Sequence, residues 1–456
     1  MKPTELNEQD LNRRDFLKGG SVATLMSLLG AVELKAQSAP AAAAPAGEPR
    51  FTMKCAVIGL GRWGREELLA HLQRQPEAEV VAICDTYPAY LTRSGRKAPE
   101  AAKIVDYREI LANKEVEAVF IATPTHQHRQ IVEEALKAGK HVYCEAPIAT
   151  SDEDARAITQ AAHAAVRCNF QPGLQMRSDP QRAFLLPFIR SGAMGRQIKA
   201  RAQWQKKSSW RAVSPNADRE KELNWRLRPA ISGGLVSEEG IHELDAMTWF
   251  LDRWPTAITG FGTIALWNDG REVDDTVQAI FEFPDGVTGS FEGTLASSFD
   301  GDYEMYFGTQ ATVMVRGTRA WMFKEADSPM LGWEVYARKD TFYKETGIAL
   351  IANATKQDTV TKKDLDEVPV EDSPVYKSIE AFLYNSHLTR TGVADFLGTF
   401  GEDEDALREY LKDLDKDRLP AATAEEGFRA TILGLRANDA IKKRQRLVLE
   451  NQWFEV

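Results

Sequence analysis

Two hydrophobic rhythms divide the chain. From residue 53 to 144, short apolar runs recur at 53–58, 79–84, 117–122 and 140–144. Each run is continuous rather than alternating, which is the pattern of strands buried on both faces of a parallel sheet. Helical patterns lie between and after them, at 65–72, at about 129–138 and from Ser151-Asp152-Glu153-Asp154, which carries a capping pattern. After the glycine-rich stretch at 233–240 the rhythm changes to alternation. Runs at 277–283 and 287–293 flank Pro284-Asp285-Gly286, the residues of a hairpin turn, and 303–307 with 311–315 make a second pair. With strands near 198–205 and 256–266 they predict a meander of about six strands with one apolar face, which must meet the first half or another subunit. Helical patterns at about 375–388, 403–414 and 424–441 and a docked tail at 447–454 close the chain. The polar, mixed-charge stretch at 335–372 reads as a surface excursion, and no internal repeat is visible.

The predicted class is therefore α/β followed by α+β. A doubly wound parallel sheet occupies 51–172. Residues 173–456 form an open, mostly antiparallel sheet domain whose closing helices are free to pack back on the first. Residues 1–50 are set apart. Asn12-Arg13-Arg14-Asp15-Phe16-Leu17-Lys18 precedes an uncharged stretch at 19–32 and an Ala/Pro-rich run at about 36–47. A charged head, a short apolar middle and a small-residue exit describe a secretory signal, and Arg13-Arg14-x-Phe16-Leu17-Lys18 resembles the twin-arginine type. The apolar part is too short and too rich in glycine for a membrane span, which needs about 20 residues. The expected location is periplasmic or extracellular.

The first strand runs into Gly59-Leu60-Gly61-Arg62-Trp63-Gly64, then a helix, then a second strand ending at Asp85. This order is that of a dinucleotide-binding (Rossmann) unit. Gly59 permits the tight turn, Gly61 admits a pyrophosphate to the backbone, and Gly64 allows close packing of helix on strand. The helix N-terminus supplies amides and partial positive charge for phosphates. Asp85 is placed to accept hydrogen bonds from a ribose 2′-hydroxyl and repels a 2′-phosphate. That favours NAD, while Arg62 or Arg93 leaves NADP open. Ligands of such sheets bind at the carboxyl ends of the strands. Thr123, Pro124, His128, Glu145 and Pro147 are therefore expected around the nicotinamide half.

Composition narrows the partners. With 456 residues, 43% hydrophobic and 27% charged, the chain is globular and long enough for two or three domains. A net charge of −10 gives no electrostatic support to nucleic-acid binding. The four cysteines fall in strand-like segments of the first half, where buried thiols fit better than bridges. His126-x-His128 has no further ligand cluster near it, so no metal is expected. A nicotinamide cofactor is scarce outside the cytoplasm, so an exported user should hold it tightly.

Taken together, these segments resemble the glucose–fructose oxidoreductase, inositol dehydrogenase and rhizopine-catabolism (Gfo/Idh/MocA) family. The matching residues are the glycine loop, Ala122-Thr123-Pro124 with His128, Glu145-x-Pro147, 173–177, Asn224-Trp225-Arg226 and 233–245. The resemblance implies hydride transfer between a sugar or cyclitol carbinol and the cofactor, and subunit pairing through the open sheet. It further implies that a Lys in Glu-Lys-Pro, with an Asp and a His of an Asp-x-Gly-x-His segment, handles the hydroxyl and its proton. Here the Lys position is Ala146, the Asp position is Glu238, and His242 is retained.

His242 is the candidate base, because neutral imidazole suits proton removal near neutrality. Glu238, four residues earlier, would orient it or bind a substrate hydroxyl. Arg177, Trp225 and Arg226 are the candidate sugar contacts. Three functions remain open at this level. One is an exported NAD(P)-dependent oxidoreductase of a sugar, cyclitol or glycoside hydroxyl that retains its cofactor. Another is a glycosidase or lyase that oxidises transiently, eliminates and returns the hydride. The last is a sugar-binding protein that keeps NAD without catalysis.

Overall fold

The computed structural model describes residues 51–317, 319–329 and 373–456. The export signal expected at 1–50 and the excursion expected at 335–372 lie outside the described residues. Of the described residues, 51–317, 319–325 and 373–456 form one compact unit.

The continuous apolar runs become a six-stranded sheet. Its strands are β1 (Met53–Ile58), β2 (Ala78–Cys84), β3 (Ala102–Ile104), β4 (Ala118–Ile121), β5 (His141–Cys144) and β6 (Phe170–Pro172). Their order is β3-β2-β1-β4-β5-β6, with every pair parallel. The runs are apolar throughout because both faces are covered. Phe120 and Tyr143 pack beneath the helix Pro374–Phe400, whose Phe382 ring lies 5.0 and 5.6 Å from theirs. Val119, Ile121, Val142 and Cys144 point the other way, into a core with Ile131 and Val132. The order reverses between β1 and β4, which opens a crevice at their carboxyl ends. Register aligns the ends: the Ala122 amide donates to the Ile58 carbonyl at 2.8 Å and the Glu145 amide to the Ile121 carbonyl at 3.0 Å. Gly59, Ala122 and Glu145 therefore stand side by side on one rim.

The alternating runs become a second sheet, larger and differently connected than the sequence pattern implies. Its strands are β7 (Gln197–Gln205), β8 (Ala257–Thr263), β9 (Thr276–Glu282), β10 (Thr288–Thr294), β11 (Tyr303–Gly308), β12 (Ala311–Arg316), β13 (Arg319–Lys324) and β14 (Leu447–Val448). Their order is β13-β12-β11-β7-β10-β9-β8-β14. The sheet has eight strands rather than about six, and it is not a meander, because β7 inserts between β10 and β11 and runs parallel to β10. Local pattern cannot register that pairing, since β7 meets β10 across some ninety residues of chain. Two-residue β14 is too short to show any period. The hairpin at 284–286 forms as expected, with Asp285 at φ 61° and Gly286 at φ 74°.

Two helices seat the second sheet against the first. Ala424–Lys443, closed by a Thr423–Glu426 capping box, buries Phe428, Ile432, Leu433, Ala437 and Ile441. These side chains join Val142 and Ile148 of the first half to Phe281 and Phe291 of the second in one apolar core. A fully buried side chain of this size contributes roughly 1.5–3 kcal/mol, so the relative placement of the sheets is well anchored. Ile241–Leu251 lies alongside, with its N-terminus toward the crevice rim through the contact of Ile241 with Leu174 and Ala146. The outer face of the second sheet is open, exposing Phe261 of β8 and Ile280 of β9.

Candidate active site

The three loop glycines are needed for different reasons. Gly59 has φ +94°, and a Cβ there would come within 2.6 Å of the Ala122 carbonyl and the Thr123 amide. A Cβ on Gly64 would lie 2.0 Å from the Gly59 carbonyl oxygen. The protein itself therefore demands both. A Cβ on Gly61 would meet nothing within 4 Å. Only something lying on the loop gives that glycine a purpose, and a pyrophosphate fits. Leu60 turns its side chain into the core and donates its amide to Asp85 Oδ2 at 2.8 Å, while the Tyr87 amide donates to Oδ1 at 2.7 Å. Burial raises the Asp85 pKa; those two amides and Arg219 oppose the shift. Arg62 is exposed and pairs with Glu66 at 3.4 Å.

Arg219 was not evident in the sequence. It comes from the helix Ala217–Leu223 of the second half. Its guanidinium sits 4.6 Å over the Tyr87 ring, donates to Thr86 Oγ1 at 3.0 Å and lies 3.9 Å from Asp85. It bridges the end of β2, where the adenosine ribose of a bound dinucleotide belongs.

Farther along the rim the polar groups lack partners. Thr123 Oγ1 and Glu145 Oε1 are buried and make no hydrogen bond. Burial pushes the Glu145 carboxyl up to about 8, against hydrogen bonds from Trp63 and the Ala146 amide. Glu145 is thus mostly protonated at neutrality and able to donate. Pro124 flanks this rim half-buried, and Pro147 is buried behind Ala146. His128 is differently employed. It is buried, Nε2 bonds the Thr123 carbonyl at 3.0 Å, and burial lowers its pKa to about 4. It braces the rim from behind rather than facing the crevice.

The facing wall comes from the second half. His242 lies in the first turn of Ile241–Leu251, half-buried, with Nδ1 buried and unpartnered. Burial lowers its pKa to about 4, so the ring is neutral. Glu238 does not orient it. It ends a separate short helix, Leu235–Glu238; Oε2 accepts from Thr125 Oγ1 at 3.0 Å and Oε1 from the Gly233 amide at 2.9 Å. This carboxylate ties the two halves together across the crevice, because Gly240 breaks the helix that would have stacked it on His242. Arg177 is also committed elsewhere. It forks onto Asp245 at 2.8 Å, reaches Glu426 and lies over Trp249, so its charge is met within the protein. Trp225 and Arg226 do reach the cleft wall: Trp225 is 5.8 Å from the His126 ring and Arg226 lies 5.0 Å over Trp225. His126, weighed in the sequence only as a metal ligand, half-buried Glu239 and Arg228 join them; Arg228 is the one that the sequence reading did not single out. The repeat Trp225-Arg226-Leu227-Arg228, two cations flanking an apolar residue, was the available signal.

Residues 53–172 match the oxidoreductase family with NAD-binding Rossmann fold (Gfo/Idh/MocA), and 187–322 match the Gfo/Idh/MocA C-terminal domain. Together these matches span more than half the chain, which belongs to the Gfo/Idh/MocA family of NAD-binding oxidoreductases. Among its relatives, scyllo-inositol 2-dehydrogenase (NAD(+)) of Bacillus subtilis is 26% identical over 58% of this chain and 73% of its own. Levoglucosan dehydrogenase of Pseudarthrobacter phenanthrenivorans is 25% identical over 51% and 63%. A 2,7-anhydro-N-acetylneuraminate hydratase of Escherichia coli is 25% identical over 57% and 66%. The fold resembles the aldose-aldose oxidoreductase of Caulobacter crescentus solved with glycerol (TM-score 0.59, 19% identity, 87% of this chain and 100% of that one). It also resembles levoglucosan dehydrogenase solved with NADH (TM-score 0.58, 18% identity, 88% and 99%).

Proposed function

We propose that this chain oxidises a hydroxyl of a sugar, cyclitol or glycoside, using an NAD that it does not readily release. The observation that carries this reading is a set of buried, unpartnered polar atoms: Thr123 Oγ1 and Glu145 Oε1 on the rim, and His242 Nδ1 next to Ile241, which packs against Ala146. Buried polar groups without partners are costly unless a ligand completes them.

NAD, when bound, accepts the hydride. The glycine loop and the helix behind it hold the phosphates, and Asp85 favours a free ribose over a 2′-phosphate. Neutral His242 takes the hydroxyl proton at Nδ1, the ring nitrogen left without a partner. Protonated Glu145 donates a hydrogen bond at the nicotinamide end. Arg219 closes over the adenosine end, which supports slow cofactor release. Export by the segment at 1–50 and pairing of two copies through the open face around Phe261 and Ile280 belong to the same proposal.

One observation is compatible with a second reading, a closed redox cycle. Ala146 stands where the family motif has Lys, and it packs against Leu174, Ile241, Ala422 and Ala430. Oxidation would acidify the adjacent C–H, a base would take that proton, the β-substituent would leave as its protonated alcohol, and the hydride would return to the carbonyl carbon, with water adding to the double bond first where the outcome is hydrolysis. A hydratase among the relatives supports keeping this second reading.

The test is to incubate the purified protein in deuterated water with a panel of sugars and glycosides. Cofactor reduction with a keto-sugar product supports net oxidation. Bond cleavage or deuterium uptake beside the oxidised carbon, with the cofactor back in its starting state, supports the cycle. Bound cofactor with neither signal would leave a binding protein and sink the enzymatic proposal.

A further inference from the structure

The second-half wall carries more than the redox step needs. Arg226 lies over two indoles, 5.6 Å from Trp210 and 5.0 Å from Trp225. The acid paired with it is Glu238, 4.0 Å away, whose oxygens already hold Thr125 and Gly233. Its Nε is buried and donates to nothing. Arg228, two residues on, is half-buried and has no ion pair among the described residues; its Nε is likewise buried without an acceptor. Arg228 also acts on His126, whose pKa is lowered by burial first and by this guanidinium second. Glu239 accepts a hydrogen bond from Trp210, and Arg226, Lys206 and Arg62 oppose the upward push of burial on its carboxyl. Arg226 therefore has acidic neighbours but an unfilled Nε, whereas Arg228 has no ion pair among the described residues. Taking a guanidinium out of water is unfavourable unless an acceptor meets it.

The geometry points to an oxyanion subsite in which Arg226 and Arg228 receive the carboxylate of an acidic sugar, the apolar face of the ring lying on Trp225. A planar fork of donors matches a carboxylate, and an indole matches the C–H face of a pyranose. This inference rests on the sugar-site reading above and narrows it to uronate-like substrates. The same oxyanion chemistry could come from the cofactor's pyrophosphate, and the experiment separates the two.

Binding of D-glucuronate and D-galacturonate is measured by calorimetry against D-glucose and D-galactose, in the wild type, Arg228→Ala and Arg228→Lys. At least one uronate is expected to bind about tenfold or more tightly than its neutral partner, and salt should weaken that preference. Arg228→Ala should abolish the preference and Arg228→Lys keep part of it, with the NAD(H) content of both unchanged. No uronate preference in the wild type, or an intact preference in Arg228→Ala, overturns the proposal. Loss of NAD(H) from Arg228→Ala with the sugar preference unmoved assigns the guanidinium to the pyrophosphate and also overturns it. Arg228→Lys guards against a variant that simply misfolds. Because the readout is binding, a protein that prefers uronates but holds no NAD(H) would sink the oxidoreductase reading and leave this one standing.

Discussion

The two walls of the crevice are built on opposite principles. The loop wall, from Gly59 to Asp85, completes itself: Asp85 takes the Leu60 and Tyr87 amides, and Gly64 rests on Gly59. The facing wall is drawn from residues 206 to 242, and its Arg226, Arg228 and His242 each bury a nitrogen with no partner. One wall is a finished scaffold. The other is complete only with a ligand between them. Mutations that crowd Gly59 or Gly64 should therefore cost folding and cofactor together, whereas mutations in the second wall should cost chemistry or selectivity and leave the fold intact.

The sharpest way to break this contrast lies within the loop. Gly64→Val would force a side chain into the Gly59 carbonyl, so overpacking of about 1–3 kcal/mol and loss of bound NAD(H) should appear together. Gly61→Ala meets no protein atom, so its thermal midpoint should hold, within about 0.5 kcal/mol of stability, while NAD affinity falls about tenfold or more. Calorimetry on both variants checks the pair, and equal loss of stability would erase the distinction.

His242→Ala should lower turnover by about 10²–10⁴-fold, and by about tenfold at the least, with cofactor content and melting temperature preserved. Turnover that survives would remove this imidazole from the chemistry. A smaller effect is expected at the bridge between the walls. Arg219→Ala should speed NAD release by about tenfold, a loss of about 1.4 kcal/mol, read by stopped-flow displacement. An unchanged release rate would deny the arginine any part in retention.

The subtlest prediction is a pH dependence. The carboxyl of Glu145 titrates near 8 in the fold, above its ordinary value. The folded state therefore keeps a proton that the unfolded chain gives up. Its contribution to stability is fully present below about 4.5 and is lost as pH rises through 8. Glu145→Gln, always neutral, should gain stability relative to the wild type progressively from about pH 4.5 to 8 and then level off. A melting-temperature difference that stays flat across that range would place an ionised carboxylate at this position.

Contiguity explains what could be read from the chain and what could not. The glycine loop, the strand before it and Asp85 lie within one short stretch, and each spacing carries its own physical reason. His242 was legible only through the resemblance of 233–245 to a family segment. Arg177 looked available because nothing near it in sequence shows Asp245, sixty-eight residues away, filling its fork. Glu238 looked coupled to His242 because a four-residue spacing implies one helix face, and Gly240 interrupts that helix. His128 follows the same rule: its burial against the Thr123 carbonyl depends on how β4 and β5 abut. Arg219 reaches Thr86 across 133 positions, beyond any local pattern.

The account's central claim is that a nicotinamide dinucleotide lies on the loop at 59–64. Denaturing the purified protein and quantifying released NAD(H) tests it most directly. About one dinucleotide per chain, with Gly61→Ala markedly depleted, is the predicted result. A wild-type protein that releases none, and that takes up none when offered NAD, would contradict it.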